Sequence, residues 1–293
     1  MGEVPVLTPQ AVPPARPPSD RREAGVRAEP PLAVDLDGCL LRTDVTVESV
    51  FVLAKRDPLA LLTLPFELLR GRAAFKRALA ERVRPDVDTL PLNEPLVAFL
   101  QDEKRHGRTL VLATGADQLL AHRIAQRLGL FDAVIASDGR ANMTGDVKRR
   151  HLVAAFGEHG FDYVGNSRRD LPIWGAARRA LVAGGAVRHL EAVRRVAAVE
   201  RVFDDGRAGG PGALLGTWLA QLRWRHWIKN ALVLAPLVLA HRLADPAAVV
   251  HALLAAAGFC AVASSIYLLN DLIDMPSDRR HPRKRTRPLA DRE

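Results

Sequence analysis

Cysteine is scarce: 293 residues hold two, Cys39 and Cys260, far apart and in no metal-ligand spacing. That excludes a disulfide framework and points to a reducing compartment. The first 30 residues lack apolar periodicity and lack the apolar core of a signal peptide; they are rich in Pro, Ala and Arg. Such a stretch buries too little surface to offset the entropy of ordering. Residues 1–30 are therefore expected to form a disordered tail, and the domain after it to stay in the cytosol. A net charge of +9 leaves nucleic acid, anionic lipid and phosphorylated substrate as classes of partner, and the position of the cations has to choose among them.

What is present begins with Leu32 to Leu41, an apolar run that delivers Asp35 and Asp37 and then Gly38. It reads as a buried strand ending in a loop. Residues two apart share a face, so both carboxylates can point at one site, and their repulsion is costly unless a cation or a phosphoryl group lies between them. The same residues are also ordinary turn chemistry after a strand.

From Pro31 to about Val202 strands and helices alternate. A stretch from Val45 to Val87 has no strand signal and reads as several helices inserted after the first strand. Helix is expected over Asn93 to Arg105, Asp117 to Leu128 and Val147 to Phe156. Strand is expected over Thr109 to Ala113, Phe131 to Ala136 and Phe161 to Val164, with Ala180 to Ala183 as the last. This alternation predicts an α/β fold with a doubly wound parallel sheet, whose ligands bind beyond the carboxyl ends of the strands.

Three further groups fall at such ends. Thr114, followed by Gly115, offers a hydroxyl and backbone N–H groups to a phosphoryl oxygen, or simply caps a helix. Lys148 opens a helix and is either a surface charge or the cation that a phosphate site needs. In Gly165-Asn166-Ser167-Arg168-Arg169-Asp170, Asn166 and Asp170 offer oxygens suited to Mg²⁺, or make a turn and a cap.

In order and spacing these four motifs resemble the haloacid dehalogenase (HAD) superfamily of phosphotransferases, over roughly residues 31–202. The resemblance implies that Asp35 is a nucleophile forming an aspartyl-phosphate and Asp37 the acid/base. It implies that Thr114 and Lys148 hold the phosphoryl group, with Mg²⁺ between Asp35, the Asp37 carbonyl, Asn166 and Asp170. The insert at about 45–88 stands where this family carries a cap. Asn166 replaces an Asp found in many members. The implied substrate is a phosphomonoester.

Beyond Arg201 the character changes. Residues 203–212 read as a linker and 213–293 as a membrane region. Leu214 to Trp227 interleaves tryptophans with cations, as an interfacial helix does. Ala231 to Ala240 is apolar but short. Ala247 to Leu269 is 23 residues long, about 34 Å as a helix against a bilayer core of about 30 Å. Cations flank both segments, so an α-helical transmembrane hairpin is expected, with both ends and the α/β domain in the cytosol at the inner or plasma membrane. The terminal cations adjoin a membrane segment without a recognisable nucleic-acid fold, which favours lipid headgroup or diphosphate and argues against nucleic acid.

Asn270, Asp271, Asp274 and Asp278 follow the second segment, the aspartates spaced to share one helical face if Pro276 does not break it. Trp227-Ile228-Lys229-Asn230, this Asp-rich motif, and then Lys284 and Arg287-Pro288 resemble the start of a UbiA-superfamily prenyltransferase, in the branch similar to decaprenyl-phosphate phosphoribosyltransferases. The resemblance implies a polyprenyl phosphate or diphosphate bound through Mg²⁺ by Asn270, Asp271, Asp274 and Asp278, with Lys229, Lys284 and Arg287 as phosphate partners. Family members carry about nine spans and a second Asp-rich motif, so the expectation is a truncated member. Three readings stand: a UbiA-type transferase fused to a Mg²⁺-dependent HAD phosphatase, a membrane-anchored HAD phosphomonoesterase, and a non-catalytic phosphate-binding membrane scaffold.

Overall fold

The strand β1 (Leu32–Val34) is apolar at every position and buried at every position, as a strand must be when it is paired on both sides and covered on both faces. In the computed structural model, which describes residues 29–203 and 231–279, it is a central strand. It pairs in parallel with β2 (Leu110–Asp117) on one side and β4 (Asp162–Gly165) on the other. With β3 (Ala133–Ser137), β5 (Ala180–Ala183) and β6 (Val199–Phe203) the sheet runs β3-β2-β1-β4-β5-β6, all parallel. The chain builds outward from β1 to β3, then crosses back and builds outward from β4. The reversal leaves a crevice at the carboxyl ends of β1 and β4.

Period-2 alternation fills the two faces separately. Leu32 and Val34 pack into one apolar cluster with Leu110, Leu112 and Val164. Ala33 faces the opposite cluster with Val111, Tyr163 and Trp174. The sixth strand is an addition to the sequence reading, which ended the sheet at Ala183. Val199 to Phe203 alternates too little to be read from pattern, because it is an edge strand with a largely exposed face.

Between β1 and β2 lies the helical insert: α1 (Val45–Arg56), a 3₁₀ segment (Pro58–Thr63), α2 (Leu64–Leu69) and α3 (Arg72–Arg82). Asp44 caps α1 by accepting from the Thr46 and Val47 N–H groups. The insert has its own small core of Leu53, Leu64, Leu79 and Val83. Its two chain crossings are zipped together, since the Arg42 N–H donates to the Pro91 carbonyl at 2.8 Å and the Asn93 N–H to the Leu40 carbonyl at 2.9 Å. Then follow α4 (Glu94–Arg105), α5 (Gln118–Leu128), α6 (Asp146–Phe156), α7 (Leu171–Ala176) and α8 (Leu190–Arg194).

At the opposite end of the sheet from the crevice, Asp162 is fully buried and takes both Arg108 and Arg178, the latter at 2.9 and 2.6 Å. Arg108 also donates to the Pro30 carbonyl and to Glu103. Removing one partner of a buried ionic network strands the others. Asp162→Ala is therefore expected to destabilise this domain by about 3–5 kcal/mol, read as a lowered urea midpoint.

The second compact unit begins at Gly209. Its described residues form a short 3₁₀ turn (Ala231–Leu234), α9 (Ala235–Leu239) and α10 (Pro246–Asp278). Among the described residues α10 is the one helix long and apolar enough to cross a membrane, over Pro246–Asp274. Leu253, Leu254, Phe259, Val262 and Ile266 lie exposed on it, which is not the pattern of a helix in a soluble core. Of the first arm of the expected hairpin, the described residues 231–239 form a 3₁₀ turn and a short helix; Leu214 to Trp227 lies outside the described residues.

Candidate active site

Asp35 leaves β1 with its N–H bonded to the Val164 carbonyl at 3.0 Å, which carries the strand alignment one residue further and aims its side chain into the crevice. Its Oδ1 accepts from Lys148 Nζ at 2.7 Å, and both side chains are buried. Lys148 stands in the first turn of α6 and also donates to Tyr163 Oη at 3.1 Å. Tyr163 in turn donates to Asp170 Oδ1 at 3.0 Å. The other oxygen of Asp170 accepts from the Asn166 N–H, the Ser167 N–H and Ser167 Oγ, at 3.2, 3.0 and 2.9 Å. A hydrogen-bonded chain thus runs from Asp35 through Lys148 and Tyr163 to Asp170.

Asp37 accepts from the Val45 N–H at 2.9 Å through Oδ1, which ties the loop after β1 to the first residue of the insert. Its backbone carbonyl accepts from Asn166 Nδ2 at 2.8 Å. Gly38 makes this approach possible. Its φ is +69°, and a Cβ there would collide with the Asn166 amide. Thr114 is fully buried in β2 and accepts from the Ala116 N–H at 3.0 Å, leaving its own hydroxyl proton to give. The four sequence motifs of the α/β domain therefore converge: Asp35, Asp37, Thr114, Lys148, Asn166 and Asp170 all lie at the carboxyl ends of β1, β2 and β4 or on α6 beside them.

The electrostatics divide the two leading carboxylates. Burial pushes Asp35 up from 3.8, but the Lys148 ammonium opposes it and the group settles at about 6. Burial also pushes Asp37 up, and the neighbouring Asp44 carboxylate adds to the rise, to about 7. Burial works against the Lys148 ammonium, yet Asp35 and Asp170 outweigh it and hold Lys148 above its ordinary value. Tyr163 is pushed well above its ordinary range by burial and by Asp170, so it remains a hydroxyl.

Two residues join the site that the sequence reading did not name, Lys76 and Tyr163. Lys76 on α3 reaches from the insert and donates to the Gly115 carbonyl at 2.6 Å and to Asn142 Oδ1 at 3.3 Å. Burial lowers its pKa, while Asp37 and Asp44 pull it back up. Only the fold joins it to a loop 39 residues away. Tyr163 carried a clue, a hydroxyl in a fully buried strand, which must find polar partners.

The donor set fits Mg²⁺. Asp35 and Asp170 are close enough that the charge of Asp170 raises Asp35, and a cation relieves that repulsion. No group of three or more His, Cys, Asp and Glu among the described residues forms a metal cage. Mg²⁺ needs none, since it takes one or two carboxylates and completes its shell with other oxygens. Asn166 presents its amide nitrogen, not its oxygen, to the Asp37 carbonyl; an amide can turn either end to a neighbour.

In the second unit, Asn270, Asp271, Asp274 and Asp278 lie on α10, which continues past Pro276 to Asp278, so the three aspartates keep their shared face. Asp278 is buried. Lys229, Lys284 and Arg287 lie outside the described residues.

Residues 32–175 match the family model for haloacid dehalogenase-like hydrolases. The chain is 34% identical to an uncharacterized protein, y4nM, of Sinorhizobium fredii, over 89% of this chain and 49% of that protein. It is 47% identical over 89 residues to the decaprenyl-phosphate phosphoribosyltransferase of Mycolicibacterium smegmatis, covering 28% of this chain and 27% of that protein. The chain thus spans about half the length of the first curated relative and about a quarter of the other. A crystal structure of a Bordetella pertussis protein of unknown function superposes on 59% of this chain and 99% of its own, with 18% identity and a TM-score of 0.46.

Proposed function

We propose that the haloacid dehalogenase-like hydrolase domain of this chain is a Mg²⁺-dependent phosphomonoesterase acting through an aspartyl-phosphate on Asp35. The observation that carries this reading is the buried contact of Asp35 Oδ1 with Lys148 Nζ at 2.7 Å, two residues before an Asp37 that is tied to the first residue of the insert. Lys148 opposes the burial of Asp35 and favours its ionised form, while at Asp37 Lys76 offsets burial and Asp44 less, and the group holds its proton close to neutral pH. Environments that push two carboxylates apart assign the nucleophile and the acid.

An oxygen of Asp35 attacks phosphorus. The ester P–O bond breaks as Asp37 gives its proton to the departing alkoxide. Asp37, now a carboxylate, takes a proton from water as that water attacks the aspartyl-phosphate, which releases phosphate and regenerates Asp35. Thr114, through its hydroxyl, and Lys148 hold the phosphoryl oxygens. Asp35, Asp170, the Asp37 carbonyl and Asn166 are the residues that would hold Mg²⁺, which neutralises charge between nucleophile and phosphoryl group. The test is phosphate release by the purified chain from a panel of phosphomonoesters, with and without Mg²⁺. No release from any of them, with Mg²⁺ present, overturns the reading.

Lys76 fastens the insert to the Thr114–Gly115 loop as a cap over this site. Lys76→Met is expected to lower kcat/KM about tenfold, equivalent to about 1.4 kcal/mol, mainly through KM. A steady-state comparison on one phosphomonoester checks it.

A second reading concerns the other unit. α10 crosses a bilayer, and Asn270, Asp271, Asp274 and Asp278 at its end contribute, with Lys229, Lys284 and Arg287, to a Mg²⁺-dependent site for polyprenyl phosphate or diphosphate. What supports this is the length and apolarity of α10 together with the identity to proteins named decaprenyl-phosphate phosphoribosyltransferase. Asp274→Asn should leave phosphate release intact while removing any transfer to or from a polyprenyl phosphate.

A further inference from the structure

The 3₁₀ segment Pro58–Thr63 and α2 form one continuous apolar stretch in the cap. A helix of this kind has one face to bury, and this one buries it: Leu64, with Leu61 and Ala60 beside it, packs into the cap core. A second apolar face is left over. Leu59, Leu62, Phe66 and Leu69, at helical spacings of three and four, point outward with exposures of 73, 69, 68 and 85%, and Leu68 lies beside them. Isolated surface leucines need no explanation, but a contiguous strip of five large apolar side chains on one short element does. Cations are in excess at both ends of the strip: Lys55 and Arg56 before it, Arg70 and Arg72 after it, all exposed, against Asp57 and Glu67, the latter paired to Arg70 at 3.0 Å.

We propose that the outer face of Pro58–Leu69 docks the cap onto an anionic lipid bilayer, its leucines and Phe66 entering the headgroup boundary and its flanking cations meeting lipid phosphates. An apolar strip rimmed by basic residues matches the interface between acyl chains and anionic headgroups. A second copy of this chain fits less well, because a two-fold contact through the strip brings the two cationic rims together. The bilayer is available because the same chain carries α10, and the proposal rests on reading α10 as a membrane span. It does not depend on the phosphatase reading.

The test uses the full chain with single cysteines introduced by Leu62→Cys, Phe66→Cys, Gln101→Cys or Leu254→Cys. Each is labelled with an environment-sensitive fluorophore and reconstituted into vesicles of phosphatidylglycerol and phosphatidylcholine containing a doxyl lipid with its nitroxide near the headgroup. Native Cys39 and Cys260 are buried, and the labelled parent chain gives the background. The expected result is quenching at Leu62 and Phe66 as well as at Leu254 on α10, with none at Gln101 on α4. Quenching at Leu254 alone overturns docking while sparing the span. No quenching at Leu254 overturns the span, and docking falls with it. Probes at Leu62 and Phe66 that are dry but unreached by the lipid quencher identify a protein partner and overturn the proposal. Undiminished quenching in vesicles of phosphatidylcholine alone overturns its anionic part.

Discussion

Asp35→Asn is expected to reduce phosphate release by at least about four orders of magnitude while leaving the fold intact. The amide keeps the shape of the side chain and can still meet Lys148 Nζ with its oxygen, so the 2.7 Å contact survives. What is lost is the anionic oxygen that attacks phosphorus, and no neighbour replaces it. Asp37 is held at the Val45 N–H, and Asp170 is engaged by Tyr163, Ser167 and two backbone N–H groups. Single-turnover assays with the variant should show no phosphoenzyme. A phosphate release rate within tenfold of the parent would sink the aspartyl-phosphate mechanism. In the parent chain, leaving-group protonation should weaken as pH rises through about 7, where Asp37 gives up its proton.

Lys148→Met is expected to have the largest effect on stability within the site, and the effect should depend on pH. The variant leaves Asp35 buried with no cation, beside Asp170. With the opposing ammonium gone, the Asp35 pKa rises further above its ordinary 3.8. A carboxylate raised in the folded state contributes stability that is present below its unfolded value and lost as pH rises through its folded one. The variant should therefore approach the parent near about pH 4 and fall behind toward about pH 8 by up to about 3–5 kcal/mol, the ordinary cost of stranding one buried charge. Chemical denaturation at several pH values checks this. The double variant Asp35→Asn/Lys148→Met removes the stranded charge and should recover much of the loss at high pH. On the proposed mechanism, activity should vanish in the single variant at every pH, since Lys148 is the cation that offsets the burial of Asp35.

Five of the six strands were legible because they are short apolar runs, and three of them carry a polar residue at or near the carboxyl end. Asp35, Thr114 and Asn166 mark those ends. The convergence of the motifs followed from parallel topology alone, since every carboxyl end of such a sheet faces the same side. Lys76 could not be found this way. On its helix it is one cation among several, and only the packing of the insert against the Gly115 loop gives it a partner. Nor did the residues foretell that Asn166 turns its nitrogen to the Asp37 carbonyl, because an amide offers donor and acceptor from the same position. The outer face of the cap escaped for a different reason. Its leucines were counted as helix-forming residues, and whether an apolar side chain faces a core or the outside is set by the neighbours it meets, not by its spacing.

The paired crossings at the base of the insert act as a single attachment. Residues 40–42 and 91–93 form a narrow antiparallel ribbon held by the Arg42 and Asn93 N–H groups. It is reinforced where Asn93 Nδ2 donates to the Cys39 carbonyl at 3.2 Å. Two strands bonded side by side resist sliding past each other but bend together across their width. The two crossings thus join the insert to the sheet as one strap, and Lys76 makes a separate attachment at the Gly115 carbonyl.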